Sequence, residues 1–124
     1  MDASGTHSMT FTRIYSDIDG ESHFEDVAVP LHDEGMVGFL SDNFHVSTLR
    51  FRENKPDYNW DYHTAPTRQF IVMLTGEIEI ETSLGEIRKF KSGNVLLVED
   101  VTGKGHRTKN IGSTYRKSLF IGLS

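Results

Sequence analysis

The 124-residue chain contains no cysteine, which removes disulfides, thiolate metal sites and a cysteine nucleophile and leaves His, Asp, Glu and Gln as inner-sphere ligands. Its thirteen Lys and Arg residues are outnumbered by eighteen Asp and Glu, for a formal net charge of −5, and no basic run exceeds a pair. The footprint of a phosphate-backbone binder is missing, so nucleic acid is not an expected partner. No apolar run approaches the roughly 18 residues of a membrane span. The start, MDASGTHSM, lacks the basic opening and apolar core of a signal peptide. These absences point to a cytoplasmic protein without a membrane partner. Helical signal is scarce too: no amphipathic segment runs for three turns, and only residues 41–44 read as a short helical turn.

What is present is a period of two. TFTRIY, HFEDVAVPL, FHVSTLRFRE, RQFIVML, EIEIET, GEIRKFK, NVLLVE, GHRTK and RKSLFIGL alternate or run apolar, separated by turn signals such as Asp19-Gly20, Ser83 to Gly85, Ser92-Gly93 and Gly103 to Gly105. With 36% hydrophobic residues the length suffices for one core and is short for two. The expectation is one all-β domain, a sandwich or barrel, over residues 9–124, with residues 1–8 a disordered tail or cloning remnant. Phe70, Ile71, Val72, Met73 and Leu74, and Val95, Leu96, Leu97 and Val98, form near-continuous apolar strands that need cover on both faces. In EIEIE, Ile78 and Ile80 turn inward while Glu77, Glu79 and Glu81 face solvent, where basic residues of a neighbouring strand balance them weakly. HFEDVAVPL is apolar enough to act as a sheet edge that pairs with a second copy, which predicts a homodimer.

The residues with chemistry cluster in WDYHTAPTRQ and in EDVTGKGH. In an extended segment Asp61 and His63 share a side, and Gln69 shares a face with Ile71, Met73 and Thr75. Trp60 and Tyr62 are placed to line a cavity mouth against an apolar ligand, or else to pack. Arg68 is out of phase with Gln69. Solvated in a regular strand, it would clamp a substrate carboxylate if turned toward the mouth. Glu99 and Asp100, with Lys104, fall near His106; they read by default as an exposed turn, the alternative being a buried carboxylate that acts as a general base, and GKG lacks the context of a phosphate loop. His7, His23, His32 and His45 are read as structural.

Residues 50–110 resemble a small single-domain cupin. That family's first motif ends in a glutamate followed seven residues later by glycine, and here Gln69, FIVMLT and Gly76 reproduce the spacing with Gln for Glu. His63 fits the motif's second histidine with the connector one residue longer, and Asp61 stands where the first belongs. In the second motif Gly93 opens the turn, and His106 with Asn110 keeps the His-x-x-x-Asn ending, although VLLVEDVTGKG is two residues longer than usual and lacks the proline. The resemblance implies an antiparallel double-stranded β-helix, the jelly-roll barrel. It further implies that His63, Gln69 and His106 converge to hold a divalent transition metal such as Fe, Mn, Ni, Zn or Cu, with Asp61 moving protons and Trp60, Tyr62 and Arg68 meeting the substrate. Two readings stay open: a metal-dependent enzyme acting on a small organic molecule, of dioxygenase, isomerase or lyase type, and a noncatalytic small-molecule binding or sensing domain without metal.

Overall fold

The computed structural model describes residues 7–124. Among them twelve strands form: β1 (Ser8–Ser16), β2 (Ser22–Pro30), β3 (His32–Asp33), β4 (Phe39–Leu40), β5 (Val46–Asn54), β6 (Asn59–His63), β7 (Gln69–Thr75), β8 (Glu77–Thr82), β9 (Ile87–Lys91), β10 (Val95–Val98), β11 (His106–Ile111) and β12 (Arg116–Leu123). The first six residues of the expected tail lie outside the described residues, while Ser8 already opposes Pro30 in the β1–β2 hairpin. The helical turn expected at residues 41–44 is not formed. A 3-10 turn occupies Gly35–Val37 instead, where Gly35 and Gly38 both take positive φ.

A six-stranded sheet, in the order β2-β1-β10-β7-β12-β5, faces a four-stranded sheet, β6-β11-β8-β9, and β3 with β4 forms a separate ribbon. Every pairing is antiparallel except β1 with β10, which runs parallel with Thr12 opposite Leu96. The result is a largely antiparallel jelly-roll arrangement of two facing sheets whose barrel is not closed. Among the described residues no helix is long and apolar enough to cross a membrane.

Alternation builds the core. β7 buries Gln69, Ile71 and Met73, and β8 buries Ile78 and Ile80 while its glutamates face out. Ile14 and Phe24 from the first hairpin, Phe90 from β9 and Leu96 and Val98 from β10 complete the cluster between the sheets. Continuous apolarity in β7 and β10 reflects cover on the second face as well: Phe70 stands edge-on to Phe11 and Phe44, its ring centroid 5.3 Å and 5.5 Å from theirs, outside the six-stranded sheet. Leu74 departs from the expected burial, being 42% exposed at the end of β7 where that cover stops. HFEDVAVPL supplies β2 and does lie at a sheet edge; β5 is the opposite edge.

β5 is patterned the wrong way round for a core strand. Leu49 and Phe51 point outward, 55% and 80% exposed, whereas Arg52 is half-buried and Asn54 buried on the side facing the other sheet. That inversion puts polar groups where the alternation rule would place apolar ones.

Candidate functional site

A cavity of about 390 Å³ opens between the two sheets. Its two ends are polar and its middle is apolar, with Ile71, Ile78, Ile80, Val98 and Phe120 on the walls.

At one end stand His63, His106 and Gln69. His106 begins β11 opposite His63 at the end of β6, and the next register match pairs Thr108 with Trp60, so β6 holds one residue more than β11 over this span. That β-bulge turns both Trp60 and His63 inward, where their rings stack with centroids 3.6 Å apart at 6°. The imidazoles of His63 and His106 lie 4.7 Å apart, tilted by 56°. Nδ1 of His63 is 2.8 Å from the backbone oxygen of Asp61, and because a carbonyl only accepts, Nδ1 carries the hydrogen. Nδ1 of His106 sits 2.5 Å from Oδ2 of Asp100, a carboxylate with no exposed surface. Both Nε2 atoms are thereby left without a protein partner among the described residues. Burial pushes His63 below its ordinary value of 6.5; the Asp61 carbonyl opposes that shift and neighbouring His106 adds to it.

The close approach of two loops sets this end. Gly105 has φ +73°, and a Cβ there would lie 2.1 Å from the backbone oxygen of His63, so only glycine lets the chain pass. The Gly105 carbonyl accepts from Ser22 Oγ at 2.7 Å, and Ala65 donates its N–H to the Asp100 carbonyl at 3.0 Å. The glycines of TGKGH therefore serve chain packing behind His106. Asp100 is the main surprise, since an exposed turn was the expected setting for it.

The other end is cationic. Arg116 opens β12 and is 2% exposed, with Nη2 donating to Asn54 Oδ1 at 2.5 Å. Its guanidinium lies 5.1 Å from the centre of the Tyr58 ring; that of Arg52 lies 5.2 Å from the same ring and 4.7 Å from Phe120. Burial pushes Arg116 down to about 10, and the like charge of Arg52 adds to the shift. Nε of Arg116 is buried without a partner. Arg50 lines the same cavity, whereas no Asp or Glu does.

Three residues of the expected set lie away from the cavity. Asp61 does not share the inner face with His63; it lies in an outer groove with Glu79, Glu81, Arg107 and Lys109, its Oδ1 accepting from the Tyr62 N–H at 2.8 Å. Tyr62 points outward as well, its hydroxyl donating to the Thr82 carbonyl at 3.2 Å while Arg107 covers its ring. Arg68 turns away from the mouth, and its Nε donates to Glu99 Oε2 at 2.7 Å. Burial pulls Glu99 upward, but bonds from Arg13 and Arg68 more than offset it and hold the carboxyl below its ordinary value. Asn110 gives His106 no support, since its Nδ2 donates to the Lys55 carbonyl at 2.6 Å. Of the expected set, Trp60, His63, Gln69 and His106 reach one cavity.

The donor set fits a resident divalent ion poorly. It offers two imidazoles and an amide, with no carboxylate lining a cavity that also carries guanidinium groups, and the nearby Asp100 carboxylate is engaged with Nδ1 of His106. Among the described residues no group of three His, Asp or Glu is placed to hold a metal.

No protein-family model and no curated protein matches the chain. Solved structures with a similar fold include one described as a predicted oxalate decarboxylase from Thermotoga maritima, at 19% identity over 97% of this chain and 99% of that one, with a TM-score of 0.49. The cupin domain of Cnp3 from Schizosaccharomyces pombe is 14% identical over 98% of this chain and 87% of its own, with a TM-score of 0.47. A Neisseria meningitidis protein is 18% identical over 67% of this chain and 79% of its own, with a TM-score of 0.48. These likenesses concern fold, and the chemistry of the cavity has to be argued from its own residues.

Proposed function

We propose that this chain is a small-molecule-binding domain of the cupin type, taking its ligand into the cavity between the sheets and working without a resident metal ion. One observation carries the reading: a single cavity has the two imidazoles and the Gln69 amide at one end, guanidinium groups at the other and an isoleucine-rich wall between them. Its volume falls within the ~300–1,000 Å³ typical of small-molecule sites, and its mixture of apolar walls with a few convergent polar groups is what such sites use to orient a ligand. With Nδ1 on the Asp61 carbonyl and burial favouring the neutral ring, His63 presents Nε2 as an acceptor, so a ligand hydroxyl or N–H is bound there, and the Gln69 amide both donates and accepts. Asp100 fixes the ring of His106 and so serves as a positioning residue rather than one that meets the ligand.

Metal analysis of the purified protein after exposure to Fe, Mn, Ni, Zn and Cu salts tests the reading. The expected result is no stoichiometric ion. An ion retained one per chain by the native protein and lost in His63→Ala/His106→Ala would favour the metal-dependent enzyme instead. Association as a homodimer is proposed as well, because β5 is a sheet edge whose outward face carries Leu49 and Phe51. A sedimenting particle of 14.1 kDa, the mass of one chain, would count against it.

A further inference from the structure

We propose that the ligand of this cavity is a small organic carboxylate, its anionic group held by Arg116 and Arg52 and its apolar body lying along the isoleucine wall toward the two imidazoles. The inference rests on the small-molecule reading and adds a charge, a polarity and an orientation to it.

The argument begins from a charge without a counter-ion. Two guanidinium groups share the Tyr58 ring, one of them 2% exposed, and among the described residues neither Arg52 nor Arg116 forms a salt bridge. Elsewhere on the chain arginines are matched: Arg13 with Glu25 and Glu99, Arg68 with Glu99, Arg88 with Asp26, Arg107 with Glu81. Burying like charges together without an anion is costly, and such an arrangement persists where a ligand supplies the missing charge.

Asn54 offers only a neutral oxygen to Nη2 of Arg116. Tyr58 lies beside the guanidinium as a second neutral partner, Nε is buried without any, and no carboxylate reaches the group among the described residues, so the charge is left for a ligand. A planar carboxylate matches the guanidinium fork.

The remainder of the cavity selects against a bare inorganic anion. Ile71, Ile78, Ile80, Val98 and Phe120 separate the cationic end from the imidazoles, and a phosphate ion would leave that wall uncovered. A branched or aromatic acid covers it. The inverted pattern of β5 has the same explanation, since Arg50 and Arg52 line the cavity and Asn54 is buried, while Leu49 and Phe51 stay largely exposed, Phe51 at the cavity's edge.

The test is titration calorimetry on the full chain with benzoate, phenylacetate and isovalerate, beside the corresponding amides and inorganic phosphate. At least one acid should bind, with its amide weaker by about tenfold or more, the scale of a charge-assisted hydrogen bond. Arg52→Gln, at a half-buried position where folding can be verified by circular dichroism, should weaken the acid by about tenfold and leave the amide unchanged. Arg116→Gln should have the larger effect. Amides binding as tightly as acids would overturn the anion and leave the small-molecule reading standing, whereas no binding by either class would overturn both. Phosphate binding better than every acid, with the same sensitivity to Arg52→Gln, would overturn the organic body.

Discussion

The two faces of the four-stranded sheet handle charge in opposite ways. On the outer face of β8 and β11 two carboxylates meet cations: Glu81 lies 2.7 Å from Arg107 and Glu79 lies 3.6 Å from Lys109, on side chains that remain partly in water. On the inner face, the same strands contribute Ile78, Ile80, His106 and Thr108 to a cavity with cationic groups and no acidic wall residue. Exposed matched pairs contribute little to stability and keep the surface soluble. A buried unmatched charge weakens the fold, and its presence is better accounted for by what the cavity binds.

The contrast breaks most completely at Gly105. Gly105→Ala places a methyl group against the His63 carbonyl in a left-handed backbone, and the expected loss is about 4 kcal/mol, readable as a collapsed urea midpoint or absent folded protein. Asp100→Ala comes next: it removes the Nδ1 partner of the His106 ring from a fully buried site and should cost about 3 kcal/mol by the same measurement. Arg116→Met carries the sharpest distinction, because it discards a buried charge while retaining side-chain length. Its stability should be unchanged or higher by about 1 kcal/mol while ligand binding is lost. A large destabilisation would make the guanidinium a structural element.

Acidity sharpens the comparison further. Burial holds His63 below 6.5, so the unfolded chain takes up its proton first as pH falls. The stability linked to this group is fully present above 6.5 and declines below it, and His63→Gln should flatten that slope in urea midpoints collected across the range. The smallest effect belongs to the outer face: Arg107→Ala should shift the midpoint little, and raised salt should reduce even that.

The sequence carried the fold because alternation and turn chemistry agreed across β7, β8 and β9, where Ile71, Met73, Ile78, Ile80 and Phe90 all fall inward as their period requires. His63, Gln69 and His106 stand out through their resemblance to the cupin motifs. Asp61 could not be placed correctly, because a bulge in β6 changes the phase of its neighbours without leaving a Gly or Pro to announce it. Arg52 and Arg116 were invisible for a different reason. In RFRE and YRKS the ordinary pattern assigns arginine to solvent, and only the tertiary arrangement exposes Phe51 instead. Asp100 was legible as a carboxylate near His106 but not as a buried one, because Glu99 and Asp100 before VTGKG carry no apolar period to signal burial.

The parallel pairing of β1 with β10 has a consequence for how the protein is made. Thr12 must wait for Leu96, so the first hairpin leaves the ribosome with Phe11, Ile14 and Phe24 uncovered long before its partner strand exists. Closing so long a loop is entropically slow, and a contact of that sequence separation delays folding relative to the local hairpin β8–β9. Until synthesis passes residue 98 the nascent chain carries an apolar ribbon with free edges, the period in which a holdase would have the most to protect.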